Sequence, residues 1–215
     1  MSEKPSNMRA TRSSISLALA GAFLTLTSFT PHKTEPMRLA PPTTAPRFTT
    51  TDINGSTLDL SAYKGQRVLL TFYRNVGCPI CNLRFHEIEE RTAEFKAKGL
   101  VVIAVYESSA ANMRTYMEGE RFNTIMVPDP EQRLYALYNV ERSSGKLMKG
   151  MFHGAMGKMM KGKKLFKQKI KQDGNMNRVS ADFLINADGT LNTAYYGAYV
   201  GDHLSVDSIN TFLAR

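Results

Sequence analysis

The sequence predicts an α/β fold in which helices flank a mixed central sheet. Three observations carry this reading. Strand-length apolar runs alternate with helix-period segments from Phe48 to Tyr138, a hairpin pattern returns near the C-terminus, and an amphipathic segment closes the chain. In order, Thr49 to Asp52 and Thr57 to Leu60 flank Asn54-Gly55, the signature of a small hairpin. Val68-Leu69-Leu70-Thr71-Phe72-Tyr73 is a nearly unbroken apolar run, as a strand buried on both faces should be. Cys81, Phe85, Ile88, Thr92 and Phe95 then recur at steps of four and three, which predicts a helix that ends at Gly99 after Lys96 and Lys98. Leu100 to Tyr106 reads as a strand, Ala110 to Glu118 as a helix and Ile125 to Val127 as a short strand. Pro130 should open a helix carrying Leu134, Leu137 and Tyr138. Phe183 to Ile185 and Leu191 to Tyr196 flank Asp188-Gly189 as a second hairpin, and Val206, Ile209, Phe212 and Leu213 mark the last helix.

The 215 residues suit one domain with decorations, and 42% hydrophobic with 22% charged residues exclude a disordered or collagen-like chain. The net charge of +9 suggests a nucleic-acid binder until it is mapped. Ten basic and no acidic residues lie between Arg142 and Gln172, and residues 1–36 add +2, so the rest of the chain carries −3. The basicity belongs to one segment.

Residues 1–36 read as a leader. Arg9 and Arg12 precede an uncharged run from Ser13 to Pro31 that contains the apolar stretch Ile15 to Leu24, the layout of a secretory signal. The alternative is a leader without a targeting role, with Met37 as a second initiator. Export or membrane tethering follows if the leader is a signal, a cytoplasmic location otherwise. Pro41, Pro42 and Pro46 make Met37 to Pro46 an extended linker into a domain over residues 37–215.

Cys78-Pro79-Ile80-Cys81 carries the chemistry. It follows a buried strand and opens a helix, with proline at the first helical position, where a missing N–H costs nothing. A sulfur at a helix N-terminus faces unpaired N–H groups and the positive end of the helix dipole, which favour thiolate. Cys81, one turn on, can reach back to form a disulfide. A zinc site would need a second pair of ligands, and His32, His86, His153 and His203 have no ligand spacing. No glycine loop of phosphate-binding type follows a strand, so no nucleotide cofactor is expected, and two cysteines need no flavin or haem. His86 is expected on the exposed side of its helix, and Asp202-His203 in a surface or capping role.

The string Leu70-Thr71-Phe72-Tyr73-Arg74-Asn75-Val76-Gly77-Cys78-Pro79-Ile80-Cys81 resembles the signature of peroxiredoxin-like proteins of the AhpC/TSA branch of the thioredoxin superfamily. Ala45 to Leu60, Val127 to Val140, Arg178 to Gly189 and the tail Tyr195-Tyr196-Gly197 with Gly201-Asp202-His203 agree in order. The resemblance implies a thioredoxin-like fold and a thiol peroxidase. Cys78 would attack a peroxide and form a sulfenic acid, Cys81 would condense with it, and a thioredoxin-like dithiol donor would reopen the disulfide. Arg178 would stabilise the thiolate and developing charge, with Arg74 as a second candidate. Two departures leave a thiol–disulfide oxidoreductase open as the alternative. Thr71 and Asn75 stand where peroxiredoxins carry proline and threonine, and no proline precedes the strand at Phe183.

Residues 142–175 form a basic insertion. Leu147/Met148, Met151/Phe152, Ala155/Met156 and Met159/Met160 keep helical spacing, interrupted by Gly150, Gly154 and Gly157. It could be a docked helix with solvated lysines, or it could make weak contact with an anionic membrane through residues 142–172. It lacks the interleaved aromatics that stack bases, so no specific nucleic acid is expected. A third possibility, from outside enzymology, is a membrane- or polyanion-binding module with a vestigial dithiol.

Overall fold

The run Arg67–Phe72 (β3) is the centre of the architecture seen in the computed structural model, which describes Met1 and residues 37–167 and 169–215. The chain divides into two compact units, Met1–Glu35 and Pro36–Arg215, and the second holds every strand and helix named below. The leader reading falls, Met1 apart, outside the described residues.

Two short strands, Thr49–Thr51 (β1) and Thr57–Asp59 (β2), pair antiparallel as the Asn-Gly turn requires. A 3-10 turn, Leu60–Tyr63, leads into β3. The remaining elements are Pro79–Ala97 (α1), Leu100–Tyr106 (β4), Ala110–Met117 (α2), Ile125–Pro128 (β5), Arg133–Leu137 (α3), Ser144–Phe152 (α4), Ala155–Lys163 (α5), Ala181–Ile185 (β6), Leu191–Tyr196 (β7) and Val206–Leu213 (α6). The main sheet has the order β5-β4-β3-β6-β7. β3, β4 and β5 run parallel, whereas β6 pairs antiparallel with both β3 and β7. The expected mixed sheet is therefore present, with β3, the strand that leads to Cys78, at its middle.

Alternation along β3 divides the core. Val68, Leu70 and Phe72 pack with Tyr135, Tyr138 and Phe183 on one face. On the other, Leu69 joins Ile88 and Phe95 of α1 and Ile209 and Phe212 of α6. A side-chain period of two on a strand buried on both sides explains why the run was continuously apolar.

Two sequence expectations change. The helix expected from Pro130 begins at Arg133, because Asp129 receives the N–H groups of Arg133, Leu134 and Tyr135 and so sets the start. The single interrupted helix of the insertion is two helices, α4 and α5, separated where Gly154 adopts φ 75°, a left-handed conformation that glycine reaches without a Cβ penalty.

Candidate active site

Cys78 is the N-cap of α1, and Pro79 is its first helical residue, as the strand–helix junction predicts. The junction is held from several sides. Tyr73 N–H donates to Val105 O (2.9 Å), Glu107 N–H to Arg74 O (3.0 Å) and Val76 N–H to Ser108 Oγ (3.0 Å), so the loop after β3 is sewn to the exit of β4. Cys78 N–H donates to Asn75 O (3.1 Å), and Cys78 O accepts from Asn82 N–H (2.9 Å) as the helix begins.

The two thiols are free and both are buried. Cys78 Sγ accepts from the Cys81 backbone N–H at 3.3 Å and from Arg74 Nη2 at 2.9 Å. Burial alone would raise its pKa. The Cys81 thiol hydrogen bond, the Arg74 charge and these two N–H donors outweigh burial and bring it down to about 6. Cys81 moves the other way. Burial raises its pKa well above the ordinary cysteine value, and donation to the neighbouring Cys78 sulfur adds to the rise. One sulfur is thus a thiolate at neutral pH and the other a protonated thiol hydrogen-bonded to it.

The arginine at the sulfur is Arg74, not Arg178. The strand register expected for Arg178 is present, since β6 does run beside β3. Its guanidinium, however, is fully engaged elsewhere: Nε donates to Glu107 Oε1 (2.5 Å), Nη2 to Gln132 Oε1 (2.6 Å) and Nη1 to Val140 O. It also lies over the Tyr135 ring, 4.5 Å from the centroid. A buried charge must be paired, and Glu107 claims this one before Cys78 can.

Glu107 connects Arg178 to a strap, residues 171–177, that lies over the Cys78 loop. The second Glu107 oxygen accepts from Asn175 N–H (2.5 Å), and Asp173 accepts from Ser108 Oγ (2.7 Å) and Ser109 N–H (2.9 Å). Arg74 Nη1 donates to Met176 O (2.6 Å), so one guanidinium bridges strap and thiolate. A Cβ at Gly77 would stand 2.6 Å from Lys171 O, which makes glycine a condition of the close approach.

Sequence reasoning missed Asn75. Its side chain is buried, and neither its amide oxygen nor its nitrogen has a partner among the described residues. Buried polar groups are normally paired, so the unspent donor and acceptor three residues before Cys78 stand out. Its departure from the threonine expected by resemblance was the available signal. Beside Arg74 and Pro79 opens a cavity of about 460 Å³ whose walls include Leu147, Met148, Met151, Met156 and Met159 of the insertion.

The histidines behave differently from expectation. His86 is half-buried between Tyr116, Phe85 and Phe122, and burial lowers its pKa. The His203 side chain is buried rather than superficial, and its Nδ1 lies 3.0 Å from Asp182 Oδ2. Burial raises the Asp182 pKa, but His203, Arg84 and the Thr71 hydroxyl bring it below the usual carboxylate value. No cluster of three or more His, Cys, Asp or Glu that could hold a metal occurs among the described residues.

A buried dithiol at the head of a helix, on a mixed sheet of this order, defines a thiol-dependent oxidoreductase with a thioredoxin-like fold. The model of the AhpC/TSA family matches residues 41–194, and the chain belongs to that family. It is similar to peroxiredoxin Bcp of Escherichia coli strain K12, 26% identical over 141 residues, 65% of this chain and 83% of Bcp. It is also similar to the thiol-disulfide oxidoreductase ResA of Bacillus subtilis strain 168, 31% identical over 98 residues, 45% of this chain and 54% of ResA. Among solved structures, peroxidoxin BcpB of Mycobacterium tuberculosis aligns with a TM-score of 0.52 at 16% identity, covering 80% of this chain and 92% of its own.

Proposed function

We propose that the protein reduces peroxides through Cys78, with Cys81 as the resolving thiol. The observation that carries the reading is the pair of donors on Cys78 Sγ, Arg74 Nη2 at 2.9 Å and the Cys81 N–H at 3.3 Å, which favour a thiolate there while burial keeps Cys81 protonated. The Cys78 thiolate attacks the terminal oxygen of the peroxide. A sulfur–oxygen bond forms, the oxygen–oxygen bond breaks, and the departing alkoxide or hydroxide takes up a proton from solvent. Sulfur is oxidised by two electrons to the sulfenic acid, and the peroxide leaves as alcohol or water. Cys81 then attacks the Cys78 sulfur, forming the disulfide and releasing water. A thioredoxin-like dithiol restores both thiols by exchange.

Arg74 supports both stages, since its charge steadies the thiolate and the oxygen that develops charge as the bond breaks. Asn75, with both amide atoms unspent, supplies polar groups in the same turn for the incoming oxygen pair. Arg178 has a positioning role. It holds Glu107, Glu107 holds the strap, and the strap holds Arg74 through Met176 O.

A second reading is favoured by the Cys-x-x-Cys spacing and the likeness to ResA, namely exchange with protein disulfides through a mixed disulfide. Sulfenic-acid trapping in Cys81→Ser separates the two. A dimedone adduct on Cys78 after one equivalent of hydrogen peroxide is the expected result. No adduct, together with a captured mixed disulfide on a protein substrate, would replace peroxide reduction by exchange.

A further inference from the structure

The insertion is docked by the wrong residues for an ordinary amphipathic helix pair. Helices usually bury their large apolar side chains and expose the small and polar ones. Here the residues of α4 and α5 that reach full burial are Gly150 and Gly162. A Cβ at Gly162 would stand 1.8 Å from Pro79 O, and one at Gly150 3.1 Å from Val200 O, so the helices lie backbone-close against the domain. Leu147, Ala155 and Met159 are partly covered. The bulk faces outward: Met148, Met151, Met156 and Met160 are each more than half exposed, and Phe152 is 83% exposed. Of the ten large hydrophobic residues exposed in the described part of the chain, seven fall between Met148 and Met176. An apolar patch concentrated in this way marks an interaction surface.

Its electrostatic setting names the partner. No acidic residue occurs between Arg142 and Gln172. Lys146 and Lys167 pair with Glu141 and Glu120, whereas Lys149, Lys161, Lys163 and Lys164 are exposed and make no ion pair with a described carboxylate. Flexible thioether chains and one phenyl ring surrounded by unpaired ammonium groups match a surface that is anionic outside and hydrocarbon just beneath. We infer that α4 and α5 form a docking surface for an anionic lipid bilayer, into which Phe152 and the outward methionines insert while the lysines meet the headgroups. No described helix is long and apolar enough to cross a membrane, so the contact is an interfacial one. Met148, Met151 and Met156 also line the cavity beside Arg74, so the docked face borders the arginine that bonds the Cys78 sulfur. This inference is independent of which oxidant or disulfide the thiols act on.

The chain contains no tryptophan, so Phe152→Trp in the full-length protein places a single reporter at the centre of the patch. With vesicles of phosphatidylcholine and phosphatidylglycerol at low salt, its emission should shift to the blue and be quenched by brominated lipid. The shift should be absent on phosphatidylcholine alone and lost near 0.5 M salt, where charges are screened beyond about 4 Å. Replacing Lys149, Lys161, Lys163 and Lys164 together by Gln should weaken vesicle partitioning at least about a hundredfold. Four outcomes would overturn the inference. They are an unshifted emission on anionic vesicles, partitioning unchanged in the quadruple variant, an equal shift produced by RNA without lipid, and a shift that grows with protein concentration alone. Because the reporter sits at residue 152, lipid binding by residues 1–36 cannot imitate the expected signal.

Discussion

Replacing Arg74 by Ala tests the site at its most informative point. The guanidinium gives Cys78 a full charge and a 2.9 Å hydrogen bond, and these help hold the thiol pKa at about 6 against complete burial. An acid whose pKa is depressed is ionised above that value and protonated below it. At pH 7 roughly nine-tenths of Cys78 is therefore thiolate. Without Arg74 the pKa should rise toward the ordinary value of about 8.5, at which only about 3% would be thiolate at pH 7. Ionisation alone then slows oxidation by up to about thirtyfold. The Cys81 thiol and backbone N–H still lower the pKa and burial still raises it, so thirtyfold marks a full return to the ordinary value. Above about pH 9.5 the ionisation difference narrows, and what remains reads the loss of a donor to the leaving oxygen, on the order of tenfold or more. Arg74→Lys keeps the charge without the fork that bridges Cys78 and Met176 O, and it should recover part of the pKa but little of the geometry. The assay is single-turnover oxidation by hydrogen peroxide across pH 5–10, with alkylation of Cys78 followed by mass spectrometry. A midpoint in Arg74→Ala within about half a unit of the parent would refute the argument, because a charge at contact distance must move it further.

Cys81→Ser should leave the first oxidation of Cys78 intact, since the serine hydroxyl can still donate to the sulfur, but turnover with a dithiol donor should stop; continued recycling would remove Cys81 from the resolving role. Arg178→Ala breaks a pair buried on both sides and should cost about 3–5 kcal/mol of stability, read as a lowered denaturation midpoint. The Cys78 ionisation midpoint should change far less than in Arg74→Ala, and an equal change would restore Arg178 to the sulfur. The insertion glycines give a matched pair. Gly157→Ala meets nothing within 4 Å and should stabilise α5 by up to about 1 kcal/mol. Gly162→Ala drives a Cβ into Pro79 O and should destabilise by about 3 kcal/mol or more. Thermal melts that rank the two alike would contradict the backbone-close docking of α5.

The sequence announced most of what depends on local period and turn chemistry. The β3 run, the α1 stripe through Phe85, Ile88 and Phe95, and both hairpin turns recur in the structure, because each is set by residues close in the chain. The placement of Cys78 belongs to the same class, being a strand end, a proline and a helix start in succession. What could not be read was competition between distant groups. Arg178 and Arg74 were both candidates, and the outcome depended on Glu107, which sits 71 residues from Arg178. The buried His203–Asp182 contact spans 21 residues, and nothing local to Asp202-His203 distinguishes it from a surface pair. In the insertion, helical spacing foretold an apolar face but not its direction. That direction is set by two glycines whose significance lies in what they touch.

The strap over the Cys78 loop would divide the proposed cycle by the size of the reagent. A peroxide is small enough to enter the cavity beside Arg74 while the strap stays seated. A reducing protein must bring its own sulfur into line with the disulfide, and with both cysteines buried and Lys171 packed on Gly77 the seated strap leaves it no such approach in the proposed cycle. In that cycle reduction would wait for the strap to lift, which requires the Asp173 contacts to Ser108 and Ser109, the Asn175 bond to Glu107 and the Arg74 bond to Met176 O to let go together. The half-cycle that consumes oxidant should accelerate in proportion to oxidant, while the half-cycle that consumes donor should level off at the opening rate of the strap, whichever donor is used. Loosening Asp173 by substitution with Asn should raise that plateau, and any slowing of oxidation in the same variant should follow a rise in the Cys78 ionisation midpoint, because the strap also holds Arg74. A donor half-cycle that keeps rising linearly with no plateau would mean that the strap is no gate at all.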